Sequence, residues 1–127
     1  MNTDAINLIR FDKSGLVPVI VQQYNTGEVL MFAWMNAEAF QETLKTGFLH
    51  YFSRSRGQLW RKGEKSEQEQ HLIEFRLDCD GDALLALIDQ TGVACHTGRR
   101  TCFYTQLSKT CVKEIKQVIK SQEQLYG

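Results

Sequence analysis

Short apolar runs and turn residues define the first half of the chain. Residues 17–21 and 29–33 predict two β-strands, and the turn residues at 25–28 predict that they form an antiparallel hairpin. Next we expect a helix that is capped by Asn36, ends at Gly47 and carries three apolar residues on one face: Ala37, Phe40 and Leu44. This helix should lie on the sheet.

The second half shows further strand patterns and one helical pattern. Residues 48–52, 83–88 and 102–107 predict strands, and residues 73–79 alternate so that one face holds Ile73, Phe75, Leu77 and Cys79. Near the end, helical spacing with Ser108 as a possible cap predicts an amphipathic helix over residues 108–127, with this apolar stripe: Cys111, Ile115, Val118 and Leu125.

These elements predict an α+β fold, mainly an antiparallel β-sheet with one helix after the first hairpin and a C-terminal helix. A chain of 127 residues, 43% of them hydrophobic, suits a single domain over residues 1–127. The net charge is zero, which argues against a partner held through many phosphates such as nucleic acid. No leader pattern and no run long enough for a bilayer are present, so we expect a cytoplasmic protein without membrane contact.

Three carboxylates lie within five residues, at Asp78, Asp80 and Asp82. Their repulsion favours a hard divalent cation, and magnesium fits because it accepts a few carboxylates plus waters. A calcium loop is excluded, since Ala83 and Asp89 stand where that loop needs glycine and glutamate. A solvated acidic turn remains the simpler alternative.

Cysteines surround the same region, and Cys79, Cys95 and Cys102 all lie in short polar stretches. Three thiols with a fourth position open suggest a catalytic zinc site, although burial as small hydrophobes stays open for each of them. Cys111 is expected to be buried in the last helix. His96 is compatible with a ligand, a surface residue or, as we favour, a proton-transfer group.

Positive charge is concentrated in three polar segments on this neutral protein: Arg54 with Arg56, Arg61 with Lys62, and Arg99 with Arg100. Guanidinium groups bind phosphate through two parallel hydrogen bonds, and neighbouring serines can complete the site. The pattern predicts a phosphorylated small molecule as substrate, although each segment alone is also typical of a solvated surface.

Six segments in this order resemble the phosphoribosyl-AMP cyclohydrolase family, and the resemblance covers about residues 15–107. They are 34–36 (WMN), 53–56 (SRSR), 59–64 (LWRKGE), 78–85 (DCDGDALL), 90–98 (QTGVACHTG) and 101–103 (TCF). The resemblance implies hydrolysis of the N1–C6 bond of the adenine ring of phosphoribosyl-AMP, which opens the purine ring in the third step of L-histidine biosynthesis. A zinc-activated water would attack C6, with magnesium assistance and proton transfer by His96 or a carboxylate.

The resemblance also implies a ligand set and an assembly. It implies zinc on the three cysteines, magnesium on the three aspartates, and a homodimer in which the zinc site is shared between subunits. An extended strand would turn Cys79 away from Asp78 and Asp80, in agreement with separate sites. We expect the substrate to contact Arg54, Arg56, Trp60, Lys62, Glu64, Ser66 and Arg99.

The sequence departs from the usual family pattern at one place, and three alternative functions are compatible with parts of it. Where the family usually has a glycine and a small polar residue after Ser66, this chain has Glu67 and Gln68. A zinc-dependent nucleotide deaminase would carry His-x-Glu and Pro-Cys-x-x-Cys motifs, which the sequence lacks. A structural zinc module would need a closed four-ligand site. A family member that binds nucleotide without turnover is the third alternative.

Overall fold

The computed structural model describes residues 4–127. After a 3-10 turn at Ala5–Leu8, the elements in chain order are β1 (Val17–Gln23), β2 (Val29–Met35), α1 (Ala37–Thr46), β3 (His50–Ser53), β4 (Gln58–Arg61), β5 (Gln70–Leu77), β6 (Leu84–Gln90), β7 (Thr105–Leu107), β8 (Val112–Glu114) and α2 (Gln122–Tyr126). The predicted α+β class is confirmed, with antiparallel pairing dominant. No helix in this described range is long and apolar enough to cross a membrane.

A four-stranded sheet with the order β2-β1-β6-β5 is the frame of the molecule. β1 pairs antiparallel with β2, as predicted, and parallel with β6, while β5 and β6 are antiparallel. The inner face of β1 and β6 is buried through Val17, Val19, Val21, Leu84, Ala86 and Ile88. Residues of α1 and β3 complete this core, so one sheet face is covered by the helix and the β3–β4 hairpin.

Helix α1 begins and ends where the sequence predicts. The Oδ1 atom of Asn36 accepts a hydrogen bond from the Ala39 amide at 2.8 Å, and Gly47 ends the helix at φ 83°. The buried face differs from the prediction, because Ala39, Phe40 and Thr43 are buried whereas Leu44 is 51% exposed. The prediction was therefore right for Phe40 and wrong for Ala37 and Leu44, which are both exposed, because the helix is rotated about its axis relative to the predicted orientation.

Strand β5 departs from the predicted alternation at a bulge. Its register with β6 shifts between Leu72 and Glu74, and Ile73 at the bulge is 48% exposed. Beyond the bulge Phe75 packs on Phe40, with ring centroids 4.9 Å apart. The strand ends at Leu77, so Cys79 lies in the following turn and not on an extended strand.

The C-terminal segment contains a helix, but the predicted extent of 108–127 was wrong. Residues 105–114 form the β7–β8 hairpin, whose turn leaves Cys111 exposed instead of buried. The helix begins only after Ser121, whose side chain forms a reciprocal capping box with Gln124. The β-branched residues in this segment favour the extended conformation, which explains the shorter helix.

Candidate active site

Cys95 and Cys102 lie together at the C-terminal end of β6. A turn closed by the hydrogen bond from the Gly98 amide to the Cys95 carbonyl (3.0 Å) places Cys95, and the Cys102 amide donates to the Leu30 carbonyl at 2.7 Å. The Thr97 hydroxyl donates to the Cys95 sulfur at 3.0 Å. The side chains of Cys95 and Cys102 are close enough to form a hydrogen bond, so the two sulfurs could bind one cation.

The Cys102 sulfur faces neighbours that change its acidity, although the residue as a whole is exposed. Burial of the sulfur, followed by the charge and hydrogen bond of Cys95, raises the pKa of Cys102 to about 12, and Lys62 opposes this shift. With this raised pKa, the Cys102 thiol keeps its proton at neutral pH unless a cation binds it.

Lys62 connects the thiols to the β3–β4 hairpin. Its Nζ donates to the Ala94 carbonyl at 2.5 Å and lies 5.9 Å from the centroid of the Trp60 ring. Burial lowers the pKa of Lys62, while the nearby Cys102 and Cys95 act in the opposite direction. The ammonium group is therefore placed to balance thiolate charge.

A buried glutamine network, which the sequence reasoning missed, holds the loop that carries Cys95. The Gln90 Nε2 contacts the carbonyls of Thr91 (2.9 Å) and Val93 (3.2 Å), and Gln70 donates to the Gln90 Oε1 at 2.8 Å. The Tyr51 hydroxyl donates in turn to Gln70. Gln70 is the first residue of β5 and Gln90 the last residue of β6, and polar residues at strand ends give no sequence signal of burial.

The acidic turn lies at the opposite end of β6. Ligand atoms of Asp78, Cys79 and Asp80 lie within 4.8 Å of one another, and all three residues are exposed. Left-handed Gly81 (φ 77°) closes the turn, with its amide on the Asp78 carbonyl at 2.9 Å. The expectation that Cys79 points away from the aspartates was therefore wrong, because the chain has left the strand. Asp80 and Asp82 line a cavity of about 620 Å³.

The three predicted zinc ligands do not meet within one chain. Among residues 4–127 the aspartate–cysteine group just described is the single cluster of three such ligand atoms. Cys79 precedes β6 and Cys95 follows it, and the seven residues of that strand span about 20 Å. One metal ion cannot bridge that distance, since zinc–sulfur bonds are about 2.3 Å long.

Five of the seven predicted substrate residues line one cavity of about 380 Å³. They are Arg56, Trp60, Lys62, Glu64 and Ser66, and Tyr126 of α2 lines the same cavity. Arg54 is stacked instead on Trp34, with its Cζ 4.4 Å from the ring centroid. Arg99 is bound to Glu114 (3.0 Å) and the Lys116 carbonyl (3.0 Å), so the C-terminal hairpin holds it.

His96 is exposed in the turn between Cys95 and Gly98. Its carbonyl accepts a hydrogen bond from the Gln122 side chain at 3.4 Å, which ties this turn to α2. The imidazole therefore lies next to the thiol pair in sequence and open to solvent, as a group that moves protons would need to be.

Glu67 and Gln68, which depart from the usual family pattern, differ in backbone conformation and in their contacts. Glu67 has φ 63°, the one left-handed residue other than glycine in the part of the chain that the structure describes. Gln68 is integrated into the site, because its Oε1 accepts from the Val93 amide at 3.1 Å. This loop thus connects the cavity to the loop of Cys95.

The class that the fold and site define is a small α+β enzyme with a cationic cavity beside a thiol pair. Comparison with known sequences gives the family. The profile of phosphoribosyl-AMP cyclohydrolase matches residues 31–104. A protein of that name from Granulibacter bethesdensis is 59% identical over 98% of each chain, and one from Paramagnetospirillum magneticum is 60% identical over 93% of this chain and 89% of its own length. The chain belongs to the phosphoribosyl-AMP cyclohydrolase family, which consists of hydrolases.

Proposed function

We propose that this chain hydrolyses the N1–C6 bond of the adenine ring of phosphoribosyl-AMP, the third step of L-histidine biosynthesis, in the cytoplasm. The observation that carries the proposal is the 59% identity, over 98% of both chains, to a relative named for this reaction. A deaminase would attack the same carbon, but its His-x-Glu and Pro-Cys-x-x-Cys motifs are absent from the sequence.

The donor atoms fit the two metals of the proposal. Cys95 and Cys102 offer adjacent sulfurs for zinc, and Asp78 and Asp80 offer clustered carboxylates for magnesium, with Asp82 on the neighbouring cavity wall. Zinc held by these sulfurs would supply a Lewis acid that activates water for attack on the ring. Magnesium would neutralise phosphate charge of the substrate.

The side chains of this chain would orient the substrate and move protons. Arg56 and Lys62 on the cavity wall would bind phosphate, and Trp60, packed on Tyr51 at 5.2 Å between ring centroids, presents a fixed aromatic surface. The Glu64 carboxylate accepts from the Arg61 amide at 2.9 Å and so keeps the end of the hairpin in place. His96 would exchange a proton with the reacting ring.

The zinc site in this proposal is shared between two subunits. Cys79 and Cys95 are separated by the length of β6, about 20 Å. A second copy that supplies Cys79 to the Cys95–Cys102 pair completes a three-thiol site, and the symmetric exchange completes a second one.

The direct test is an assay of the purified protein on phosphoribosyl-AMP with zinc and magnesium, following ring opening by absorbance. We expect turnover that a chelator abolishes and zinc restores. The matched control is Cys111→Ala, which removes an exposed thiol of the C-terminal hairpin. Absence of ring opening in metal-replete, folded protein would refute the proposed reaction.

The shared site has a separate test in mixed variants. Cys79→Ala and Cys102→Ala proteins should each be inactive alone, since every site in either dimer lacks a ligand. After random subunit exchange about half of the dimers are mixed and each holds one intact site, so activity should return to about a quarter of wild type. Exchange is verified by co-purification of tagged subunits. Exchanged but inactive mixtures would contradict a shared site.

A further inference from the structure

The segment after β8 lies directly on the turn that carries His96 and Gly98. The amides of Ile119 and Lys120 both donate to the Gly98 carbonyl, at 2.7 and 3.1 Å. Gly98 is left-handed (φ 87°), and a Cβ placed on it would lie 1.6 Å from the Lys120 carbonyl oxygen. The absence of a side chain at Gly98 therefore lets the two backbones pack together.

Side-chain contacts hold the same segment at two further points. Arg99 donates to the Lys116 carbonyl and to the Glu114 carboxylate, each at 3.0 Å. Further along, the Gln122 side chain donates to the His96 carbonyl at 3.4 Å. The path of the chain from β8 into α2 is thus fixed by contacts with the turn that follows Cys95.

Helix α2 has only five residues, yet its position is well defined. The Ser121 hydroxyl oxygen accepts from the Gln124 amide at 3.1 Å, and the Gln124 side chain accepts from the Ser121 amide at 2.7 Å. Leu125 is buried, with 5% exposure. Because Tyr126 is the next residue, the burial of Leu125 also fixes the place of the Tyr126 ring.

Tyr126 lines the cavity of about 380 Å³ that residues 56–66 form, a volume typical of small-molecule sites. It is 54% exposed, so much of its ring is free to contact a ligand. Trp60 is the other aromatic residue of the lining, which also holds four cations: Arg56, Arg61, Lys62 and Lys65. Positive charge beside two aromatic rings suits a nucleotide, because its phosphate is anionic and its base is flat.

We propose that Tyr126 is a substrate-contact residue, whose ring stacks on the purine base of the nucleotide bound in this cavity. The inference rests on the proposed function for the choice of an adenine nucleotide. It adds a residue that the family motifs do not supply, since the family profile matches residues 31–104. The C-terminal segment then belongs to the active site, because it joins the turn beside Cys95 to the bound base.

The chemistry of Tyr126 suits the base and not the phosphate. A phenol offers an aromatic face and one hydroxyl, but no positive charge that would bind phosphate. Arg56 and Lys62 provide that charge on the same cavity lining. Stacking of a base on an aromatic side chain is favourable for every base, because each has a π-face. Tyr126 should therefore contribute to affinity through its ring, and the contribution should not depend on salt.

The experiment measures the dissociation constant of AMP by titration calorimetry on zinc-loaded protein, at low and at high salt. Tyr126→Ala should bind AMP about tenfold more weakly, by the same factor at both salt concentrations, whereas Tyr126→Phe, which keeps the ring, should stay within about threefold of wild type. The matched control is Tyr24→Ala, because Tyr24 is similarly exposed (49%) but lies between β1 and β2. It should bind AMP as wild type does.

Two further measurements separate substrate contact from a structural role. Tyr126→Ala should raise KM for phosphoribosyl-AMP by about the same factor as it weakens AMP binding, with a smaller change in kcat. Its zinc content and circular dichroism should match those of the wild type, since Leu125 and the capping box still hold α2. A Tyr126→Ala protein that loses zinc or unfolds would overturn the direct contact.

The outcomes also separate this inference from the proposed function. A Tyr126→Ala protein that binds AMP as tightly as wild type would overturn the assigned contact while leaving the reaction intact. Equal losses in Tyr126→Ala and Tyr126→Phe would overturn stacking by the ring, and so would wild-type protein that binds no AMP. The expected losses in a protein that does not open phosphoribosyl-AMP would support the contact and refute the reaction.

Discussion

Substitution of Glu67 would measure backbone strain in the loop next to Ser66, which lines the cavity at residues 56–66. Its φ of 63° is left-handed, a conformation that costs a residue with a Cβ roughly 1–2 kcal/mol. Glycine removes this cost but adds about 0.5–1 kcal/mol of chain entropy to the unfolded state. Glu67→Gly should therefore stabilise the fold by roughly 0–1.5 kcal/mol, or up to several degrees in Tm.

The controls separate strain from charge. Glu67→Ala removes the carboxylate but keeps the strained φ, and Glu67→Asn introduces a residue that tolerates this region better. Urea unfolding at fixed protein and metal concentrations should rank Gly above Asn and Asn above Ala, with unchanged m-values. An alanine variant as stable as the glycine variant would refute the strain argument.

The same substitution tests whether the loop contacts substrate. Glu67 lies between Ser66, on the cavity wall, and Gln68, which binds the Val93 amide. Glu67→Gly should change KM more than it changes metal content, because the loop adjusts near the substrate and not at the ligands. An unaltered KM would place the contact elsewhere.

Three further predictions concern the metals and the network that supports them. Metal analysis should find about one zinc per chain. Full activity of the zinc-free protein would refute the proposed zinc-dependent mechanism. Asp80→Asn and Asp82→Asn should raise the magnesium concentration needed for activity while zinc content stays constant. Unchanged magnesium dependence would mean that the aspartates form a solvated acidic turn that binds no metal. Gln90→Leu should lower the free energy of unfolding by about 1–3 kcal/mol and weaken zinc retention, because Gln90 holds the loop that carries Cys95. Gln41→Leu, on the exposed side of α1, is the control and should change neither quantity. Equal effects of the two substitutions would contradict the role of Gln90 in positioning this loop.

Local patterns in the sequence determined the first hairpin, α1 and its ends. The cap at Asn36 and the left-handed Gly47 depend on hydrogen bonds within four residues, so they are readable without the rest of the chain. The family resemblance also follows from the sequence alone, because each of its motifs is a continuous stretch of residues. Most of the predicted substrate residues lie close together in the sequence, between residues 56 and 66, and they line one cavity.

Tertiary structure decided the features that depend on segments distant in sequence. The bulge that exposes Ile73 is set by the pairing of β5 with β6. The β7–β8 hairpin, which replaces the predicted long C-terminal helix, is held by the contact between Arg99 and Glu114. The approach of Lys62 to the thiols joins two such segments as well. Above all, the length of β6 separates Cys79 from Cys95. A pattern of residue types indicates candidate ligands, but only the path of the strand fixes the distance between them.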